Sequence, residues 1–410
     1  MKILIIGGGG REHALCWKLA QSPEKPRLYA APGNPGIATL AECTATPDYI
    51  PLAESIQPDL TIVGPEMPLA EGIADRFRER GWPIVGPAAA AARIETSKAF
   101  SKTVMEEAGV PTARHVTVAS RQDAWTALEH FSLPVVLKAD GLAAGKGVII
   151  AQTEAEAHQA IPKLLAVSPQ LVIEEFLIGE EVSFIVLTDG VHVVPLEPAQ
   201  DHKAVWDGDM GPNTGGMGAY CDGRILSKQT QLQIVDTVIR PVLDVMRRRN
   251  CHFNGFLYAG LIMTSDGPKI LEFNCRLGDP EAQVLMHRLD SDFIPSLLAT
   301  GNELLPELTL NWRKEPSVCV VLAAPGYPDD PQTGDPITGL DTVGDAVAFH
   351  AGTKRNGNAV VTSGGRVLGI TARGASLPQA IEKTYAATQN VHFNGMHFRT
   401  DIGQKGLKRW

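Results

Sequence analysis

Val135-Val-Leu-Lys138-Ala-Asp-Gly141-Leu-Ala-Ala-Gly145-Lys146-Gly147-Val148-Ile-Ile-Ala151 is the stretch on which the fold turns. Its glycines and lysines first suggest a phosphate loop. A P-loop, G-x-x-x-x-G-K-[ST], leads from a strand into a helix and ends on a hydroxyl that reaches Mg²⁺. Here three residues separate Gly141 from Gly145, and Gly147 stands where the hydroxyl belongs. Val148-Ile-Ile-Ala151 is β-branched and carries no helix-start signal, so it reads as a second strand. The segment is therefore a glycine-rich hairpin, with Lys138 on the entering strand and Lys146 at the tip. Such a hairpin can close over phosphates as a lid, because its glycines let backbone N–H groups come near them.

Composition narrows the chemistry. A length of 410 residues suggests roughly two to four domains. Net charge is −9, which argues against a nucleic-acid or anionic-membrane surface and leaves functional basic residues to a pocket. The six cysteines are scattered and form no C-x-x-C pair; a disulfide framework and a zinc site are not expected, and a reducing cytosol is. Met1–Gly7 has too few apolar residues before its glycines for a signal peptide. No apolar run approaches the roughly 20 residues that span a bilayer. A soluble, cytoplasmic protein is expected.

The first hundred residues alternate strand and helix: strands at Lys2–Ile6, Arg27–Ala31, Asp59–Val63 and Pro83–Val85, helices at Arg11–Gln21 and Ala70–Arg80. That alternation implies a parallel sheet covered by helices, a Rossmann-like arrangement. A strong helical run over residues 88–109 follows and ends at Gly109-Val-Pro111. Residues 112–190 read as a small α/β lid unit and 191–316 as a larger portion, with a long helix at Lys228–Asn250 and strands at Leu257–Met263 and Lys269–Phe273. The expected division is an N-terminal domain at 1–98, a middle region at 99–316 and a β-rich domain at 317–410. The class is α/β, or α+β overall.

The densest chemistry is Lys269-Ile-Leu-Glu272-Phe-Asn274-Cys-Arg276-Leu-Gly-Asp279-Pro-Glu281. Glu272 and Asn274 alternate on a strand and share a face. Two oxygen ligands there, completed by phosphate oxygens, suit Mg²⁺. If the strand continues, Arg276 joins that face, where a guanidinium can stabilise charge on a transferring phosphoryl group. In Leu171-Val-Ile-Glu174-Glu175-Phe176-Leu177-Ile-Gly-Glu180-Glu181 an apolar strand runs into carboxylates, a form suited to a nucleotide hinge. The N-terminal glycines Gly7–Gly10 invite a dinucleotide reading, but Glu12 stands at the third-glycine position and strand two ends without a ribose-binding acid. A polar or phosphorylated substrate, or a purely structural tight turn, fits better there.

The order SKAF, KADGLAAGKGV, IEEFLIGEE, EFNCR resembles the ATP-grasp ligases. With GGREHAL at 9–15, APGNPG at 31–36, TIVGPE at 61–66, GPNTGGMGAY at 211–220 and RLGDPEAQVLM at 276–286, the chain is similar end to end to the phosphoribosylamine–glycine ligase family of purine biosynthesis. The resemblance implies an ATP-grasp fold, ATP as co-substrate, and Mg²⁺ or Mn²⁺ on Glu272 and Asn274. It implies Lys98 and Lys138 on the ATP phosphates, Gly141, Gly145, Lys146, Gly147 and Val148 in the lid, Glu174, Glu175, Phe176 and Leu177 around adenine, and Glu181 on the ribose. Lys146, Arg276 and Asp279 are the candidate catalytic groups. Gly10, Arg11, Glu66 and Asp279 are expected around the ribose and amine of phosphoribosylamine, and Lys354 and Arg366 on its 5′-phosphate. Asp201, Lys203, Asn213 and Gly216 are expected near glycine.

The implied reaction joins glycine to 5-phosphoribosylamine through glycyl phosphate, releasing ADP and phosphate. No covalent enzyme nucleophile is needed, and no Ser/His/Asp or Cys/His arrangement is visible. The partners are small molecules, and a monomer or at most a weak dimer is expected. The family pattern has an arginine where Ala204 stands, a small residue at Trp206 and a glycine at Pro325. The alternatives are an ATP-grasp ligase with another amine acceptor and a nucleotide-binding regulator without catalysis. RLGDPE and the intact Glu272, Asn274 and lid lysines speak against both.

Overall fold

The computed structural model describes residues 1–142 and 147–408. The N-terminal sheet has five parallel strands in the order Glu42–Cys43, Arg27–Pro32, Lys2–Gly7, Leu60–Val63, Ile84–Val85. The central strand, KILIIG, is buried on both faces, as a continuous apolar run in a parallel sheet must be. Two expected helices are divided. Ala70–Arg80 becomes Glu66–Ala70 and Ile73–Arg78, parted at Gly72, whose φ is +79°. The run 88–109 becomes Ala89–Thr96 and Lys98–Ala108. Ser97 is extended between them, and its side chain accepts from Phe100 N, capping the second helix. That cap sets Lys98 on the first turn.

The lid has its own antiparallel sheet, ordered His115–Val118, Leu171–Glu175, Val135–Ala139, Val148–Ala151. Lys138 pairs with Val148, so the stretch that looked like a P-loop is a hairpin whose second arm is a strand. Gly145 and Lys146 lie outside the described residues. Helices Arg121–Leu128 and Glu154–Val167 cover one face with a core that includes Leu137, Ile161, Leu164 and Ile173. Because side chains alternate, Lys138 and Glu174 emerge on the opposite face.

A nine-stranded sheet forms the body, eight strands in one path and Val193–Pro195 paired to Glu180–Thr188 beside it. It runs from Gly267–Asn274 at one edge through Gly255–Thr264, Glu180–Thr188, Ala199–Asp201 and Gly218–Cys221, then on through Ser317–Ala323 and Arg366–Arg373 to Val347–His350. The pairing of Gly218–Cys221 with Ser317–Ala323 carries the sheet into the β-rich tail without a break. The tail also contains the helix Leu377–Thr388, capped by Ser376. The long helix expected at Lys228–Asn250 is present, with a π turn at Val235–Ile239 just before Pro241. Proline has no N–H to continue the ladder, and the wider turn accommodates it. Helix Gly10–Leu19 packs against helix Glu281–Arg288, which sets the first glycine turn beside Asp279.

Candidate active site

A cavity of about 440 Å³ lies where the lid face, the Gly267–Asn274 edge of the body sheet and the N-terminal sheet converge. Among the described residues, seven basic ones line it in this net-negative chain: Arg11, Lys98, Lys102, Lys138, Lys203, Arg276 and Arg366.

At the lid end, Lys138 Nζ lies 3.0 Å from Glu174 Oε1 and donates to Leu271 O at 3.3 Å. Lys102 Nζ lies 3.2 Å from Glu174 Oε2 and donates to Thr112 Oγ1 at 2.7 Å. Two buried lysines thus share one buried carboxylate. Burial pushes Lys102 down to about 8, against the pull of Glu174. Lys98 Nζ donates to Gly141 O at 2.8 Å, and burial likewise lowers its pKa. Gly141, Gly147 and Val148 line this end. Glu174 faces the lysines, while Glu175 Oε1 accepts from Arg114 N at 2.9 Å on the lid's edge. Glu175, the exposed Phe176, Leu177 and Glu181 do not line the cavity.

Glu272 and Asn274 both line the cavity from the edge strand. Glu272 is held below the usual carboxylate range because Lys203, Lys138, Lys98 and Arg276 together outweigh its burial. The strand ends at Asn274, so Arg276 does not continue its alternation as expected. Cys275 N instead donates to Glu95 Oε2 at 2.7 Å, turning the chain toward the N-terminal region. Arg276 reaches the cavity pinned between Glu66, 3.2 Å away, and Glu95, 2.7 Å away.

The far end is cross-braced. Arg11 Nη1 donates to Leu277 O at 2.9 Å, and its Nη2 lies 3.9 Å from Glu66. Asp279 Oδ2 accepts from Arg11 N at 3.3 Å, and Oδ1 accepts from Gln283 Nε2 at 2.9 Å. Arg366 Nη1 lies 3.6 Å from Asp279 Oδ1 and donates to Asp279 O and Gly215 O. A Cβ on Gly10 would sit 2.4 Å from Gln283 Nε2, so a side chain there would displace the amide that donates to Asp279. Gly216, with φ +110°, is buried against Pro280. Lys203 Nζ lies 2.8 Å from Glu181 and 3.9 Å from Glu272. Asp201 lines the same wall, where burial, with Glu281, Glu181 and Glu272 adding to it and Lys203 opposing, pushes it up to about 7.

Glu12 explains the altered glycine motif. Its Oε2 accepts from Gly9 N at 2.5 Å, and a Cβ on Gly64 would fall 1.9 Å from its Oε1. A protein carboxylate thus occupies the helix start that a dinucleotide phosphate takes in the full fingerprint. Asn213 and Lys354 are exposed, Lys354 on the hairpin Thr353–Asn356/Ala359–Thr362, and neither lines the cavity. Lys102, Glu95, Tyr258 and Glu281 are site residues that sequence reasoning missed. Lys102 had a readable signal, its position four residues after Lys98 on one helix face. At the family departures, the fully buried Arg399 donates to Ala204 O at 3.0 Å and pairs with Asp209 and Asp401. Trp206 packs edge-on against His397, ring centroids 4.5 Å apart. Among the described residues no helix is long and apolar enough to cross a membrane.

Three family models match in chain order: phosphoribosylglycinamide synthetase, N domain, over residues 1–95, its ATP-grasp (A) domain over 96–282, and its C domain over 317–405. The chain belongs to the phosphoribosylglycinamide synthetase family. It is 46% identical over 426 residues to phosphoribosylamine–glycine ligase of Yersinia pestis, covering 100% of both chains. It is 47% identical over 416 residues to that of Streptomyces coelicolor, covering 99% of each. The solved phosphoribosylamine–glycine ligase of Thermotoga maritima superposes with a TM-score of 0.88 at 32% identity, over 98% of this chain and 100% of that one. The biotin carboxylase domain of Hydrogenobacter thermophilus 2-oxoglutarate carboxylase shares the fold alone: TM-score 0.74, 16% identity, 97% and 91% coverage. The protein is an ATP-dependent ligase of purine biosynthesis that joins glycine to phosphoribosylamine.

Proposed function

We propose that this cavity performs the ligation in two steps, with ATP at the lid end and phosphoribosylamine at the braced end. A glycine carboxylate oxygen attacks the γ-phosphorus, the bond to the β–γ bridging oxygen breaks, and ADP leaves. The amine nitrogen of phosphoribosylamine then attacks the glycyl carbonyl carbon, the bond from that carbon to the phosphate oxygen breaks, and the departing phosphate takes up the proton that the nitrogen loses. The observation that carries this reading is the Lys102–Glu174–Lys138 cluster facing Glu272 and Asn274 across one cavity. The cluster has more positive than negative charge, which suits a triphosphate.

Glu272 and Asn274 fit a divalent cation such as Mg²⁺ or Mn²⁺. They offer oxygen donors, Asn274's side chain has no partner among the described residues, and Glu272's nearest cation is Lys203 at 3.9 Å. The ion, when bound, neutralises charge on the phosphate oxygens. Lys98, Lys138 and the lid, Lys146 included, hold the phosphates. Arg276, fixed by Glu66 and Glu95, stabilises the charge that develops on the transferring group without having to reorganise. Asp279 is kept below the usual carboxylate range by Arg366, Arg11 and Gln283 against its burial, so it orients the acceptor and does not take its proton. Arg366 and Arg11 face that acceptor. Positioning supplies up to about 7–11 kcal/mol of the barrier reduction. All six cysteines are free, which fits work in the cytoplasm.

ADP release is measured with ATP, glycine and freshly generated phosphoribosylamine, each omitted in turn. Release is expected only in the complete mixture; equal release without the amine, or with other amino acids, refutes the reading.

A further inference from the structure

The carboxylates lining the cavity are not alike. Glu66, Glu95, Glu174, Glu272 and Asp279 each have a lysine or arginine at ion-pair distance. Among the described residues, Asp201 and Glu281 have none. Glu281 is 3% exposed, at the first turn of helix Glu281–Arg288. Its Oε1 accepts from Ser183 Oγ and Tyr258 OH, both at 2.9 Å. No described donor reaches Oε2, which lies against Gly278, where a Cβ would sit 2.4 Å away. A buried carboxylate without a counter-cation is costly, and a ligand that brings the cation recovers that cost.

We propose that Glu281 Oε2, with Asp201 beside it, holds the ammonium group of the amino-acid substrate and so points its carboxylate toward the Glu272–Asn274 end. Both carboxylates line the one cavity that also holds the phosphate-facing lysines. Tyr258 and Ser183 lock the carboxyl group of Glu281 in place and leave one oxygen for the ligand. The glycine at 278 is required by Glu281 itself, since any side chain there would displace Oε2. Lys203, the nearest cation on this wall, lies 2.8 Å from Glu181; it offsets the burial of Asp201 only in part and forms no ion pair with Glu281. A second divalent cation is the competing occupant.

The assignment rests on glycine being the carboxylate substrate, and the test separates the two. Steady-state ADP release is compared for the unsubstituted protein, Glu281→Gln and Glu281→Asp, with glycolate, which keeps the carboxylate but lacks the ammonium, titrated as a competitor. Glu281→Gln is expected to raise the KM for glycine about tenfold or more while the KM values for ATP and phosphoribosylamine stay within about twofold. The inhibition constant of glycolate should not change, and Glu281→Asp should recover part of the loss. Equal rises for all three substrates, or parallel weakening of glycine and glycolate, overturns the proposal. If Glu281→Gln loses its cooperative thermal transition, Asp201→Asn carries the same comparison with the same expected direction. Calorimetric titration with MgCl₂ alone distinguishes the metal: a site present in the unsubstituted protein and lost in Glu281→Gln overturns the ammonium assignment. Should the unsubstituted protein release no ADP in the complete mixture, the ligase reading fails, and calorimetry with glycine alone then decides on Glu281.

Discussion

The two ends of the cavity are built on opposite electrostatic plans. At the lid end, Lys102 and Lys138 share Glu174, and both lysines are stripped of water. The charge there is unbalanced and awaits a polyanion. At the far end, Arg276 is divided between Glu66 and Glu95, and Arg366 and Arg11 N hold Asp279. That network is balanced and already fixed. One end is tuned for ligand affinity, the other for geometry, and substitutions should separate the two.

The largest effect is expected from Arg276→Ala. It removes the guanidinium proposed to stabilise the transferring group, so turnover should fall about a hundredfold or more. It also strands the largely buried Glu95, and breaking a pair of that kind costs about 3–5 kcal/mol, visible as a lower denaturation midpoint. An unchanged midpoint would show that the far end is less braced than its distances imply. Lys138→Met should raise the KM for ATP about 10- to 100-fold, as expected for lost charge-assisted bonds to phosphate. Its denaturation midpoint should hardly move, because Lys102 still neutralises Glu174. A midpoint loss matching that of Arg276→Ala would erase the contrast.

A smaller, pH-dependent effect belongs to Asp201. Its folded pKa is raised from 3.8 to about 7, so the fold disfavours its charged form. The resulting destabilisation is absent below the unfolded value, grows as pH rises from about 4 to 7, and is full above that. Asp201→Asn should therefore stabilise the protein at pH 8 and confer no advantage at pH 4, read from melting curves across that range. The smallest effect is expected from Lys354→Ala. That side chain is exposed on a hairpin, and its loss should change the KM for phosphoribosylamine by less than about twofold, as for an ordinary surface substitution. A tenfold rise would restore it to the phosphate site that the family resemblance implies.

Sequence carried the local features well. The lid hairpin follows from glycine spacing and a β-branched run, and the shared face of Glu272 and Asn274 from a period of two. What it could not carry were partners set by distant pairing. Cys275 meets Glu95 across 180 residues and Arg276 meets Glu66 across 210. Nothing local marks Glu95, and Glu66, singled out in TIVGPE, carries no local sign of its arginine partner. The break at Ser97 was hidden because strong helix formers flank it on both sides and only the cap separates two helices. The pairing that joins the β-rich tail to the body links strands about a hundred positions apart, Ala219 with Cys319 among them, and it too leaves no local mark.

From Gly267–Asn274 to Val347–His350 every strand is paired with the next, so Asp201, Arg366 and the strand of Glu272 and Asn274 share one continuous sheet. The four-stranded lid has its own sheet and its own core, and the chain enters and leaves it through short links near residues 111–114 and 176–179. The lid and the body are thus two separate sheets that meet across the cavity. Lys138 ties one to the other: from the lid it pairs with Glu174 and donates to Leu271 O of the body sheet, and a triphosphate held by that same lysine would add a second tie.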